Sequence, residues 1–89
     1  MDRTSGSPIS NLRSWRDDNP LTRWQEEQSA TNGEVAAALG VSRHTVYVWK
    51  QGTTMPSDEN FRALAKLMGR NVYELRLEWQ RWSDARPAL

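Results

Sequence analysis

The sequence predicts an all-α domain of four to five short helices built around a central helix-turn-helix, and three observations carry that prediction. Apolar residues recur at three- and four-residue intervals, the mark of a helix with one buried face. Capping residues (Asn19, Thr31, Ser42, Ser57, Asn71) precede these segments, and Gly40, Gly52 and Gly69 follow three of them. No segment carries a strand signal.

Residues 1–18 read as an N-terminal arm or a short extra helix. Met1 to Ser7 lack any ordering signal, whereas Ser7-Pro8 suits the start of a helix carrying Ile9, Leu12 and Trp15 at helical spacing. The main domain spans residues 19–83. Asn19 caps its first helix and Pro20 takes the first helical position, where its missing N–H costs nothing. That helix runs from Leu21 to about Ser29, with Leu21 and Trp24 inward, Gln28 a turn later, and Arg23, Glu26 and Glu27 outward.

Thr31 caps the next helix, and Glu34 three residues on completes a capping box. Val35, Ala36 and Leu39 share one face, and Ala36 is small where two helices must cross. Gly40 ends the helix, because glycine takes the left-handed backbone there with little strain. Val41 plugs the turn and Ser42 caps a helix running from Arg43 to about Gln51, with Val46, Trp49 and Lys50 along one side. Two helices joined by so short a turn form a helix-turn-helix unit.

After a loop through Thr53 and Pro56, Ser57 caps a helix with Asp58 and Glu59 in its first turn, as the helix dipole favours. Phe61, Leu64, Ala65 and Met68 form its buried stripe. Asn71 caps the last helix, on which Val72, Leu75, Trp79 and Trp82 recur to about Ser83. Arg76, Arg81 and Arg86 read as a solvated face with Glu74, Glu78 and Asp84, and residues 84–89 as a frayed tail.

Composition narrows the function. Eighty-nine residues suffice for one small domain, and the absence of cysteine removes disulfides and thiolate metal sites. No apolar run approaches the ~20 residues that span a bilayer, and no secretory signal opens the chain. The expectation is therefore a soluble, cytoplasmic protein with no membrane partner. His44 is the only histidine, so no metal site or catalytic base has convergent partners. Without a glycine-rich phosphate loop or a nucleophile elbow, no enzyme, cofactor or small-molecule substrate is expected. Net charge is only +1, but acidic Asp17, Asp18, Glu26 and Glu27 crowd the first half, while Arg43, Lys50, Arg62, Lys66 and Arg70 lie in and after the motif.

Arg43, His44, Tyr47, Val48 and Gln51 are left pointing away from the predicted core. A cation, an imidazole, a phenol, a methyl-bearing side chain and an amide suit the base edges and phosphates of a DNA major groove. A helical hairpin with a merely polar outer face remains the alternative on this pattern alone.

The chain resembles lambda-repressor-like, Cro/CI-type helix-turn-helix domains from about Pro20 to Leu77. Glu34-Val35-Ala36, Leu39 to Arg43, Thr45-Val46, Trp49 and Gly52 carry the resemblance. Pro56-Ser57, Leu64 to Gly69 and Tyr73-Glu74-Leu75 extend it into a fourth and fifth helix. The Gly40-Val41-Ser42-Arg43 piece is shared with winged-helix relatives, but the downstream helix favours the Cro/CI type. The resemblance implies a regulator that occupies operator DNA, with the helix Ser42–Gln51 entering the major groove of double-stranded DNA.

Arg43, His44, Tyr47 and Val48 then read bases, and Asn32, Thr45, Lys50, Gln51 and Thr53 meet phosphates. On this reading, Arg3, Arg13 and Arg16 would let the N-terminal segment reach around DNA. One departure is clear. Where many relatives pair an arginine of the first helix with a glutamate before the Gly52 position, this chain has Gln25 and Lys50. Lys50 then pairs with Glu26 or Glu27, or faces a phosphate.

Trp79 and Trp82 extend the apolar stripe past the usual end of such domains. Either they form a homodimer interface, or they fold back onto Ile9, Leu12 and Trp15. The expected function is a sequence-specific regulator, a phage or prophage Cro- or repressor-like protein. The alternatives are an excisionase-like architectural protein and an antitoxin-type module that binds a protein through the tryptophan-rich last helix.

Overall fold

Each helix begins on a residue whose side chain accepts a hydrogen bond from the first turn. The structure, a computed structural model, describes residues 14–87. Ser14 caps a 3₁₀ turn, Trp15–Asp18, through a reciprocal capping box with Asp17. Asn19 accepts from the amides of Leu21 and Thr22 and opens α1, Pro20–Gln28. Thr31 and Glu34 form the expected capping box of α2, Asn32–Leu39. Ser42, Ser57 and Asn71 cap α3 (Arg43–Gln51), α4 (Asp58–Met68) and α5 (Val72–Asp84). No strand forms among the described residues. The helix proposed on Ile9 and Leu12 lies outside them.

Gly40 closes α2 at φ +72° and Gly52 closes α3 at φ +79°, both in the left-handed region that L side chains avoid. At Gly52 space is short as well as conformation. A Cβ there would lie 2.5 Å from a ring carbon of Trp15 and would also collide with the Arg86 guanidinium.

The helices pack in a chain of neighbours: α2 on α3 and α4, α4 on α5, and α1 on α5 and the 3₁₀ turn. Leu21, Val35, Ala36, Val46, Trp49, Phe61, Leu64, Ala65, Met68 and Leu75 are buried together, with the expected stripe of α4 buried whole and Leu39 and Val72, partly buried, packed against the cluster. Val41 packs against this core from the turn. The inner row of α1 differs from expectation. Gln28 is exposed and Trp24 only half-buried, while Gln25 is buried beside Leu21, one helical turn away.

Trp79 and Trp82 are also core residues, which removes them as a homodimer interface. Trp79 is 1 % exposed and meets Phe61 edge-on at 5.4 Å between ring centroids. Trp82 stacks on Trp15 with parallel rings 4.2 Å apart. Each indole N–H donates to the other residue's carbonyl, Trp15 Nε1 to Trp82 at 2.6 Å and Trp82 Nε1 to Trp15 at 2.8 Å. Two large aromatic surfaces and two partly buried N–H donors are satisfied by one pairing. The fold-back reading therefore holds for Trp15.

Arg76, Arg81 and Arg86 are exposed, as expected of a solvated face. Arg76 pairs with Asp58 at 3.0 Å and lies over Phe61, and Arg70 of the preceding turn pairs with Glu78 at 2.5 Å. Residues 84–87 are not a frayed tail. Asp84 completes α5, and Arg86 sits 5.0 Å above the Trp15 ring while donating to the Gly52 carbonyl.

Candidate nucleic-acid interface

Val46 and Trp49 are buried in the core, and this fixes the rotation of α3 about its own axis. Side chains three and four residues apart share a helix face, so Arg43, His44 and Tyr47 are left in solvent on the opposite side. The His44 and Tyr47 rings lie 6.2 Å apart and 27° from parallel. Arg43 runs back across Gly33, where its Cδ is 3.2 Å from the position a Cβ would take. The absence of a side chain at residue 33 thus gives the arginine stem its path beside the start of α2. Val48 is half-buried against the core, which leaves only part of its surface for a base. The helix carries no carboxylate along its whole length.

The residues expected at phosphates fall into three groups. Thr45 is engaged locally, its hydroxyl 2.9 Å from that of the Ser42 cap. Gln51 and Thr53 flank the end of α3, with Gln51 half-buried and Thr53 exposed. Asn32 and Lys50 belong to a polar bridge that ties α1, α2 and α3 together. The Asn32 Oδ1 accepts from Lys50 Nζ at 2.8 Å and from Gln25 Nε2 at 2.9 Å. An ammonium can only donate, so the atom it meets is the Asn32 carbonyl oxygen.

This bridge stands where relatives place an arginine–glutamate pair: Gln25 and Lys50, both donors here, meet through the shared Asn32 acceptor. Half-burial pushes the Lys50 pKa below its ordinary 10.5, and the negative charge of Glu26 acts in the opposite sense. The Asn32 amide nitrogen has no hydrogen-bond partner among the described residues and remains a donor at the N-terminal end of α2. Gln25 Oε1 is buried without a partner.

Two features escaped the sequence reading. Gln25 was set apart as a departure, yet its burial follows from counting one turn on from Leu21. The position of Arg86 beside Gly52 has no local signal, because the two residues are 34 apart in sequence.

Among the described residues no group of histidine and carboxylate side chains could hold a metal ion. No helix among them is long and apolar enough to cross a membrane.

The family model described as Helix-turn-helix matches residues 26–75, more than half of the chain. No curated protein and no solved structure matches it. The match begins in the last third of α1, contains all of α2, α3 and α4, and ends at Leu75, so the tryptophan pair lies outside it. The capped, glycine-stopped pair α2–α3, the carboxylate-free outer face of α3 and this match agree: the chain belongs to the lambda-repressor-like helix-turn-helix family of sequence-specific DNA-binding regulators.

Proposed function

We propose that the protein is a Cro- or repressor-like transcriptional regulator of phage or prophage type, which acts by occupying operator DNA. The observation that carries this reading is the outer face of α3. A guanidinium, an imidazole and a phenol stand exposed on a helix whose opposite face is locked by Val46 and Trp49. In a major groove Arg43 would donate bidentately to guanine, while His44, Tyr47 and the accessible part of Val48 would meet neighbouring bases. The Asn32 amide, Lys50, Thr45, Gln51 and Thr53 would meet phosphates on either side, positioning the helix without reading sequence.

The reading includes a homodimer on a two-fold symmetric operator. Since Trp79 and Trp82 lie inside the fold, its contact surface is assigned to Tyr73 and Leu77, exposed by 76 % and 51 % and one turn apart on α5. The antitoxin-type alternative drew on the same two tryptophans and loses its surface with them. An architectural, DNA-bending role keeps no observation of its own.

Selection from a random duplex library tests the proposal. The expected result is a palindromic consensus whose half-site centres lie one helical turn, about 34 Å, apart. An unrepeated consensus would contradict the homodimer, and no enrichment would contradict operator binding.

A further inference from the structure

Outside the family match, the 3₁₀ turn and the end of α5 converge on the C-terminal end of the recognition helix α3. Ser14, Trp15, Arg16 and Arg86 share one shallow cleft with Gln51 and Thr53. The cleft holds two arginines and no carboxylate along its lining. Asp17 and Asp18 follow Arg16 in the 3₁₀ turn without lining the cleft, and Asp17 accepts from the Ser14 amide.

The two arginines are held in different ways. Arg86 lies over the Trp15 ring and donates to the carbonyl of Gly52, the residue that caps α3. A helix C-terminus carries partial negative charge on its last carbonyls, which repels a phosphate; a guanidinium bonded there reverses the local sign. Arg16 is exposed, and its side chain makes no hydrogen bond or ion pair among the described residues. Its backbone, by contrast, is fixed: the 3₁₀ turn is anchored by the stacked and doubly hydrogen-bonded Trp15–Trp82 pair. The result is a cation on a braced turn, beside Gln51 and Thr53, whose donors meet no partner among the described residues.

We infer that Arg16 and Arg86, mounted on the Trp15–Trp82 pair, form a second backbone-binding platform that grips DNA phosphates bordering the groove that α3 enters. The inference rests on the proposal that α3 reads a major groove, because the platform faces DNA only when α3 does. The helix rises about 1.5 Å per residue, so Arg43 and Gln51 stand about 12 Å apart, comparable with the major groove's width of about 12 Å. Groups flanking the far end of the helix therefore face the backbone wall and not the bases. Contacts of this kind add affinity and salt dependence without changing sequence preference.

The test compares the full-length protein with Arg16→Gln, Arg86→Gln and Arg70→Gln on the library-selected duplex and on a random duplex, over a range of salt concentrations. Arg70 is the control, since it pairs with Glu78 and lines a different cleft. Arg16→Gln should lower affinity by the same factor on both duplexes and reduce the slope of log K against log salt by about 0.9. Arg86→Gln should do the same, and Arg70→Gln should leave the slope unchanged. Because Arg86 also braces the tryptophan pair, the decision falls on Arg16, whose side chain supports nothing else in the described fold.

An unchanged slope for Arg16→Gln, with the wild-type protein binding its selected duplex, would overturn the platform and leave the reading helix intact. A loss confined to the selected duplex would overturn it too, because that pattern belongs to a base contact. If the wild-type protein bound neither duplex, the groove-reading proposal and the platform would fall together.

Discussion

A half-buried ammonium gives up part of its hydration, and Lys50 Nζ recovers some of it from Asn32 Oδ1 at 2.8 Å. The lowered pKa of Lys50, caused first by that desolvation, makes folding pH-dependent. In the unfolded chain the ammonium holds its proton up to the ordinary 10.5, whereas the folded chain releases it earlier. Between the two values the unfolded state binds more protons, so stability rises with pH there, and below the folded value the full cost of the buried charge is present. The wild-type protein should therefore gain stability relative to Lys50→Met as pH is raised toward 10.5, read by urea denaturation at matched pH. A difference that stays flat with pH would show that Lys50 titrates as an ordinary surface lysine. At this scale the exposed row of α3 was legible in the sequence, because a helical repeat sorts Arg43, His44 and Tyr47 from Val46 and Trp49. The convergence of Gln25, Asn32 and Lys50 was not, since it joins residues as far as 18 apart, and only their departure from the family pattern marked them.

The helices themselves were legible to within a residue or two, because their ends are written in side-chain chemistry: Asn19, Thr31, Ser42, Ser57 and Asn71 each accept from a first turn. The apolar stripe of α5 was equally plain, but its partner was not. Trp79 and Trp82 at helical spacing say that something must cover them; whether Trp15 or a second copy does so depends on a contact between residues 67 apart. The Trp15–Trp82 pair gives the element-scale prediction. Trp15→Ala removes the stack, one indole donor and the platform under Arg86, and should destabilise the fold by about 3 kcal/mol in urea denaturation, as large-to-small aromatic substitutions do. A loss below about 0.5 kcal/mol would mean that the 3₁₀ turn contributes little to the folded state. Gly52 explains why the pairing tolerates no bulk at the helix end: a side chain there would enter the space Trp15 and Arg86 occupy.

Over the whole molecule, a net charge of +1 conceals a division of labour. The eleven carboxylates are spread over the chain, among them Asp58 and Glu59 in the first turn of α4, Glu26 and Glu27 on the outward face of α1, and Asp17 and Asp18 in the 3₁₀ turn. The reading helix has none, and its two ends are attended by Arg43 and by Arg16 and Arg86. Affinity for a polyanion then depends on which face is presented more than on the sum of charges. The all-α class and the helix-turn-helix were visible in the sequence because capping, glycine stops and apolar period all agree within residues 26–75. The surroundings of the reading helix were hidden, since the segments that supply them lie outside that stretch. Base reading is proposed for Arg43, exposed on the outer face of α3. Its most direct test is the affinity of Arg43→Ala for the selected duplex and for random duplex at one fixed salt concentration. Arg43→Ala should lose about 1–3 kcal/mol on the selected duplex and much less on random DNA; equal losses on both would exclude Arg43 as a base reader.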